Sequence, residues 1–160
     1  MMAAIIAVVV VILLIVWYVS IYNGFITTRN QVEESASQID VQLQRRNDLI
    51  PNLVNTVKGY SKYEAGTLEK VTALRNQLAG MNMEDDPQKT MEVSNQLSGT
   101  LKSLFAVSEA YPDLKASAEY QKLMEELTNT ENKIAYSRQL YNSCVRRFNE
   151  KLQEIGRAHV

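Results

Sequence analysis

The chain has 160 residues, with 17 Lys+Arg, 18 Asp+Glu, one Cys, one His and three Pro. One Cys and one His exclude a disulfide framework, a Cys-rich zinc site and most His-based chemistry. A formal net charge of −1 gives no whole-domain basic footprint for nucleic acid.

Every charged side chain lies at or after Arg29, so an oily prefix, residues 1–28, precedes a soluble region large enough to bury a core. Ala3 to Tyr22 contains only one clearly polar side chain, Ser20. At a helical rise of about 1.5 Å per residue this stretch spans roughly 30 Å, the thickness of a bilayer's hydrocarbon core. Trp17, Tyr18 and Tyr22 cluster at its end, where amphipathic rings favour the headgroup layer. A cleaved signal peptide needs a basic n-region and a small-x-small site, and neither is present. The stretch is therefore read as a membrane anchor, with the span at about residues 3–22. Arg29 follows the span and no Lys or Arg precedes it. The positive-inside rule then puts the N-terminus outside and the following domain in the cytoplasm of a single-pass cell-membrane protein.

From Asn30 onward the pattern is helical. Ala36, Ile39, Leu43, Arg46, Ile50, Leu53, Val57 and Tyr60 step by three and four residues, one face of a helix. The register passes straight through Pro51, which predicts a kinked but continuous helix. Only Gly24 weakly interrupts the run from Trp17 to Arg29, so one long helix is expected to pass from lipid to water. Such a rigid junction would fix the height and tilt of the domain over the membrane. A turn is expected near Ser61–Gly66, followed by a second helix with Leu68, Val71, Leu74 and Leu78 on one side. Gly80 to Pro87 is the clearest loop, with Asp86 as N-cap and Pro87 at the first helical position. Met91, Leu97, Leu101, Leu104 and Val107 mark a third helix, ended by Tyr111-Pro112.

The last helix is predicted from about Asp113 to Ile155, with Gly156 as C-cap. Its stripe is Tyr120, Met124, Leu127, Glu131, Ile134, Arg138, Tyr141, Val145, Phe148, Leu152 and Ile155. That alternation of four and three predicts left-handed, coiled-coil-like bundle packing. Short connections make neighbours antiparallel, in an up-and-down bundle. If the helices flanking the Gly80 loop run collinear, a three-helix bundle results instead. Domain boundaries follow as 1–28 for the anchor, 29–155 for the bundle, and 156–160 for a frayed or truncated tail that contains His159.

Polar groups inside these stripes are the candidate site residues. Arg46, Glu131 and Arg138 carry charge in an apolar register, so they either pair across helices or snorkel at the bundle edge. Glu131 and Arg138 are two turns apart, too far for direct contact, but an arginine from a facing helix would lie between them. Asn23 and Asn30, and Asn142 and Asn149, are two heptad-spaced pairs that an antiparallel last helix would bring to similar heights near the membrane. Buried Asn at such positions sets register or oligomer state. Adjacent carboxylates at Glu33-Glu34, Asp85-Asp86 and Glu125-Glu126 point about 100° apart and read as solvated faces. No ExxH and no phosphate-binding glycine loop occurs, Cys144 reads as a packed thiol, and no cofactor or metal is expected. Arg146-Arg147 is a small basic pair within possible reach of anionic headgroups.

The chain resembles the LemA family of bacterial membrane proteins. The matching motifs are Tyr22-Asn23, Arg29-Asn30, Ser37–Val54 (SQIDVQLQRRNDLIPNLV), Val57–Tyr60, Glu109–Ala116 (EAYPDLKA), Leu127–Ala135 (LTNTENKIA) and Tyr141-Asn142. The resemblance implies an all-α protein: an N-terminal transmembrane helix followed by an elongated antiparallel up-and-down four-helix bundle. It carries no established molecular activity, and some members are associated with membrane organisation. Asn47 stands where many members carry His, and the proline-containing C-terminal tail is missing. The function expected from all this is non-enzymatic: an interaction, scaffold or assembly module at the bilayer, self-associating or binding other membrane proteins. A membrane-shaping or lipid-sensing surface, and an enzyme using carboxylates such as Glu109 or Glu131, are the rival readings.

Overall fold

A computed structural model describes residues 1–60 and 65–157. Five helices follow one another: α1 Met2–Lys58, α2 Ala65–Ala79, α3 Pro87–Ser108, α4 Pro112–Ala116 and α5 Ala118–Arg157. No strand occurs among the described residues. The chain divides into two compact units, and α1 and α5 each contribute to both.

One unit, residues 36–139, is the helical bundle. The α1 stripe behaves as its spacing requires: Ala36, Ile39, Leu43, Arg46, Ile50, Leu53 and Val57 are all buried. The helix continues through Pro51 and ends at Lys58, which leaves Tyr60 outside it and exposed. Tyr60 therefore drops out of the expected stripe. Residues 61–64 of the expected turn lie outside the described residues, and Gly66 falls inside α2. Leu68, Val71, Leu74 and Leu78 of α2 are buried, as the spacing predicts.

The α2–α3 connection makes a tight reversal rather than a collinear join, so the three-helix alternative is set aside. Asp86 accepts a hydrogen bond from the Lys89 amide at 3.0 Å, and Pro87 fills the first helical position. Asn82 closes the loop by bonding the Asp85 amide and side chain, each at 2.8 Å. The loop is tied to α1 by Asp40, whose carboxylate accepts the Met83 amide at 2.9 and 3.2 Å while the Met83 side chain is buried. Arg75 of α2 meets the Asn47 carbonyl of α1 at 3.2 Å. With Asp40 beside residue 83 and Asn47 beside residue 75, α1 and α2 are antiparallel. Residues 95 and 98 of α3 meet residues 138 and 131 of α5, so this pair is antiparallel as well.

The last helix begins later than its periodicity suggests. Ser117 adopts an extended ψ of 123°, separating the five-residue α4 from α5. Its carbonyl accepts the Gln121 amide at 3.0 Å and its hydroxyl the Tyr120 amide at 3.4 Å, which makes it the N-cap of α5. No Gly or Pro marks this break, so the apolar pattern runs across it. At the other end α5 passes through Gly156 to Arg157; Gly156 is not a C-cap, and the tail residues 158–160 with His159 lie outside the described residues.

On α5 half of the expected stripe holds, with Tyr120, Leu127 and Ile134 buried, and the alternate positions shift by one residue. Leu123, Thr130, Ser137 and Cys144, seven residues apart, are buried, whereas Met124, Glu131, Arg138 and Val145 are only half-buried, and Leu152 is exposed. On α3 the buried set Thr90, Ser94, Leu97, Leu101, Leu104 and Ser108 follows the same four–three alternation. Several of the buried hydroxyls are satisfied within their own helix. Thr130 donates to the Glu126 carbonyl at 2.8 Å and Thr100 to that of Gln96 at 2.9 Å.

In the other unit, residues 1–35 of α1 associate with α5 from residue 140 onward. Phe25 packs on Phe148 with ring centroids 5.0 Å apart, and Lys151 Nζ donates to the Gly24 carbonyl at 3.1 Å. Thr28, Ser35 and Cys144 are buried here. The apolar stretch near the start of α1 is unburied, and it is long and apolar enough to cross a membrane.

The Asp40 anchor gives a pH prediction. Burial raises its pKa above the ordinary carboxylate range; the Met83 amide pulls it down, and Glu84 and Asp85 push it up. A folded-state pKa above the unfolded one means that the folded state holds the proton more tightly. The group's contribution to stability is therefore lost as pH rises from the unfolded value through the raised folded one. Asp40→Asn keeps an acceptor for Met83 and removes this dependence. Denaturant midpoints measured across the acidic range are expected to fall more steeply with rising pH in the wild type than in the variant.

Candidate functional site

The most unusual side chain in the bundle is Arg46, with no exposed surface. A guanidinium out of water must find partners for its protons. One Nη1 proton goes to Glu131 Oε1 at 2.8 Å and the other to Ser98 Oγ at 2.8 Å. Nη2 bonds Ser94 Oγ at 2.9 Å and approaches the Ser94 carbonyl at 3.4 Å. Ser98 in turn donates to Glu131 Oε2 at 2.9 Å, so both carboxylate oxygens are engaged. The cluster joins α1, α3 and α5 at one height. Glu131 keeps 30% side-chain exposure, which lowers the desolvation cost of holding its charge.

Arg46 and Glu131 are thus brought together, Arg46 being the facing arginine that Glu131 requires. Arg138 is not in this cluster: it bonds Asn95 Oδ1 at 2.7 Å on the exposed side of α3. Pro51 lies within α1 and is exposed. Asn23, Asn30, Asn142 and Asn149 are all exposed, so they do not form a buried amide layer. Their heptad spacing is real, but it falls beside the seam that Thr28, Ser35, Ser137 and Cys144 occupy. Ser94, Ser98 and Asn95 were not singled out by periodicity. Their signal is a pair of serines one turn apart on α3, facing a stripe arginine.

Three buried polar atoms beside the cluster have no hydrogen-bond partner among the described residues: Arg46 Nε, Gln42 Oε1 and Asn47 Oδ1. All three belong to one turn or so of α1. Glu109, the other carboxylate weighed for acid–base work, is exposed and pairs with Lys115. Among the described residues no group of three or more His, Cys, Asp and Glu is placed to hold a metal ion. Chemically, the Arg46 cluster is an ion pair tied by two serines: both Nη atoms and every hydroxyl and carboxylate oxygen in it are used, and only Arg46 Nε is left over.

Fold and site define an all-helical protein, with one helix long and apolar enough to cross a membrane and a bundle locked by a buried arginine. The LemA family model matches residues 35–160, and the chain belongs to the LemA family. It is similar to Protein LemA of Metamycoplasma hominis, at 29% identity over 84% of this chain and 61% of that protein. It is also similar to Magnetosome protein MamQ of Magnetospirillum gryphiswaldense, at 22% identity, and to Magnetosome protein MamQ 2 of Paramagnetospirillum magneticum, at 24%. Each of these matches covers 80% of this chain and 56% of the relative. The chain thus spans about three-fifths of the length of the relatives it matches.

Removing the arginine tests the lock. Arg46→Met leaves Glu131 without its partner and is expected to cost about 3 kcal/mol, the low end for a broken pair because Glu131 is partly solvated. The double variant Arg46→Met with Glu131→Leu is expected to recover most of that loss. Guanidinium unfolding of the full chain in mild detergent, followed by circular dichroism, gives both numbers. An additive loss in the double variant would show that the pair contributes no coupling.

Proposed function

We propose that this protein is a single-pass membrane protein whose helical bundle works as an interaction or assembly module at the bilayer, without catalysing a reaction. The observation that carries this reading is α1 itself. Its first turns expose only apolar side chains, Ile5, Val9, Leu13 and Val16 among them, and the same unbroken helix goes on to supply Ile39, Arg46, Ile50 and Leu53 to the bundle interior. Apolar surface on that scale is stable in lipid and not in water. Membership of the LemA family, and relatives named as magnetosome proteins, support a role at membranes. Arg29, following the apolar stretch, supports an N-terminus outside and a bundle in the cytoplasm.

Partners are other copies of the chain or other membrane proteins. A bundle anchored by one helix meets its neighbours at high local concentration, so modest surface complementarity is enough for association. Among the described residues of the bundle, Val41 on α1 and Tyr136 on α5 are the large apolar side chains most exposed, at 62% and 68%.

Cross-linking tests the self-association. Cys144 is buried and poorly placed to react, so the informative variant replaces it with Ala and introduces Tyr136→Cys. In reconstituted vesicles this variant is expected to give a disulfide-linked dimer under mild oxidation, at protein-to-lipid ratios spanning a factor of about ten. Persistent monomer at every ratio, with the same result from Val41→Cys, would remove self-assembly through either of these positions.

A further inference from the structure

In their unit, residues 1–35 of α1 have one helical neighbour, α5, and it covers one side of them. Gly24 and Phe25 meet it directly, and Thr28 and Ser35 are buried. Asn23, Ile26 and Asn30 lie roughly 140–160° around the helix from Thr28, and all three are exposed. Toward the N-terminus the same steps of three and four residues reach Val19 and Val16, which are exposed as well. Val16, Val19, Asn23, Ile26 and Asn30 thus form one continuous stripe, with β-branched residues at its apolar positions. It passes the aromatic rings at Trp17, Tyr18 and Tyr22 and carries its amides just beyond them.

The two amides and the charges beside them fit a second copy of the same chain. A carboxamide holds donor and acceptor in one group, so it is its own complement. Neither Asn23 nor Asn30 has a side-chain partner among the described residues, and the Thr27 hydroxyl is spent on the Asn23 backbone carbonyl at 2.9 Å. Anchors of like orientation hold two copies parallel and at one height, so each Asn meets its own counterpart. An Asn at a single inner position of a parallel two-stranded coil fixes register and favours two strands. The flanking charges agree. With Asn23 and Asn30 on the seam, Arg29 and Glu34 stand on its two edges, five residues apart, the offset at which edge charges of parallel helices meet. Arg29 holds Glu33 of its own chain through Nε at 3.0 Å, which leaves both Nη groups for Glu34 of the second copy. Glu33 is the next step of the stripe and would face a like carboxylate, so close pairing ends at Asn30.

We propose that two copies pair in parallel along this face of α1, about a two-fold axis normal to the bilayer. Asn23 and Asn30 each bond their own counterpart, Ile26 packs on Ile26 between them, and Arg29 of each copy pairs with Glu34 of the other. The proposal rests on the reading of the protein as a self-associating module anchored by α1, and adds the face, the number of copies and their orientation.

The test uses the full chain with Cys144→Ala, reconstituted into phosphatidylcholine vesicles and oxidised mildly. Ile26→Cys is expected to give a disulfide-linked dimer that persists over about tenfold dilution in lipid. Gln31→Cys, exposed on α1 but about 100° around from Asn30, is expected to give about fivefold less. In the Ile26→Cys chain, Asn30→Asp sets two carboxylates against each other and is expected to cut the dimer about fivefold. Glu34→Arg opposes Arg29 with a like charge and is expected to lower it as well. Mixing Glu34→Arg chains with Arg29→Glu chains restores opposite charges on both edges and is expected to recover the dimer. Equal linkage at positions 26 and 31, a dimer indifferent to Asn30→Asp, or mixed chains that link no better than Glu34→Arg alone overturns the proposal. Monomer from Ile26→Cys beside a dimer from Tyr136→Cys overturns this face and leaves self-association through the bundle. Monomer at every position removes self-association itself.

Discussion

Everything in the bundle is arranged around a guanidinium that no water reaches. Arg46 occupies a position in the α1 stripe where Leu43 precedes it and Ile50 follows, and an unpaired charge there would cost more than several leucines return. The bundle answers by bringing one carboxylate from α5 and two hydroxyls from α3 to the same point. That answer constrains three helices at once. Sliding α3 or α5 by one residue turns Ser94, Ser98 or Glu131 by about 100° and strands the arginine. Apolar seams built from leucine and isoleucine tolerate such slips far better, because hydrophobic contact is non-directional. The buried arginine thus supplies what the leucines do not, a single permitted register.

Small residues share the bundle interior with large aliphatic ones. Thr90, Ser94, Thr130 and Ser137 are buried on α3 and α5 alongside Leu97, Leu101, Leu127 and Ile134. Threonine and serine enter a helix interface at little cost when the hydroxyl returns to the carbonyl one turn back, as Thr100 and Thr130 do. The volume they leave is what long side chains from the facing helix use, Arg46 among them.

These two points also mark how far periodicity reaches. The α1 stripe from Ala36 to Val57, the α2 stripe, the Asp86-Pro87 cap and the Tyr111-Pro112 stop are all legible because each rests on a residue type with one strong preference. The α5 stripe is half legible: Tyr120, Leu127 and Ile134 are buried as spaced, but at the alternate positions Leu123, Thr130, Ser137 and Cys144 go in where Met124, Glu131, Arg138 and Val145 were expected. A hydroxyl is polar in composition yet sits in a helix interface once bonded to its own backbone, as Thr130 is. The Ser117 break is hidden for a related reason: an N-cap serine inside a continuing apolar pattern looks like one more helical residue. The partner of Arg46 was half legible. That Glu131 needed an arginine follows from charge and burial, whereas the serines that complete the cluster carry no charge to draw attention. Four exposed asparagines, heptad-spaced and near the seam, show the converse: spacing alone does not bury a side chain.

Where α1 meets α5 beyond Leu140, the same logic runs with different materials. The buried side chains there are Thr28, Ser35 and Cys144, and the one large aromatic contact is Phe25 on Phe148. Small residues let two backbones approach closely, and Gly24 is the extreme case, admitting Lys151 to its own carbonyl. A contact so lean in leucine buries little apolar area and gains little from water's exclusion. Its neighbours on α1, from Ile5 to Tyr22, are meanwhile apolar and unburied. The change comes between Tyr22 and Gly24: before it the side chains are apolar and unburied, after it they pack on α5, and the first charge, Arg29, lies on the packed side.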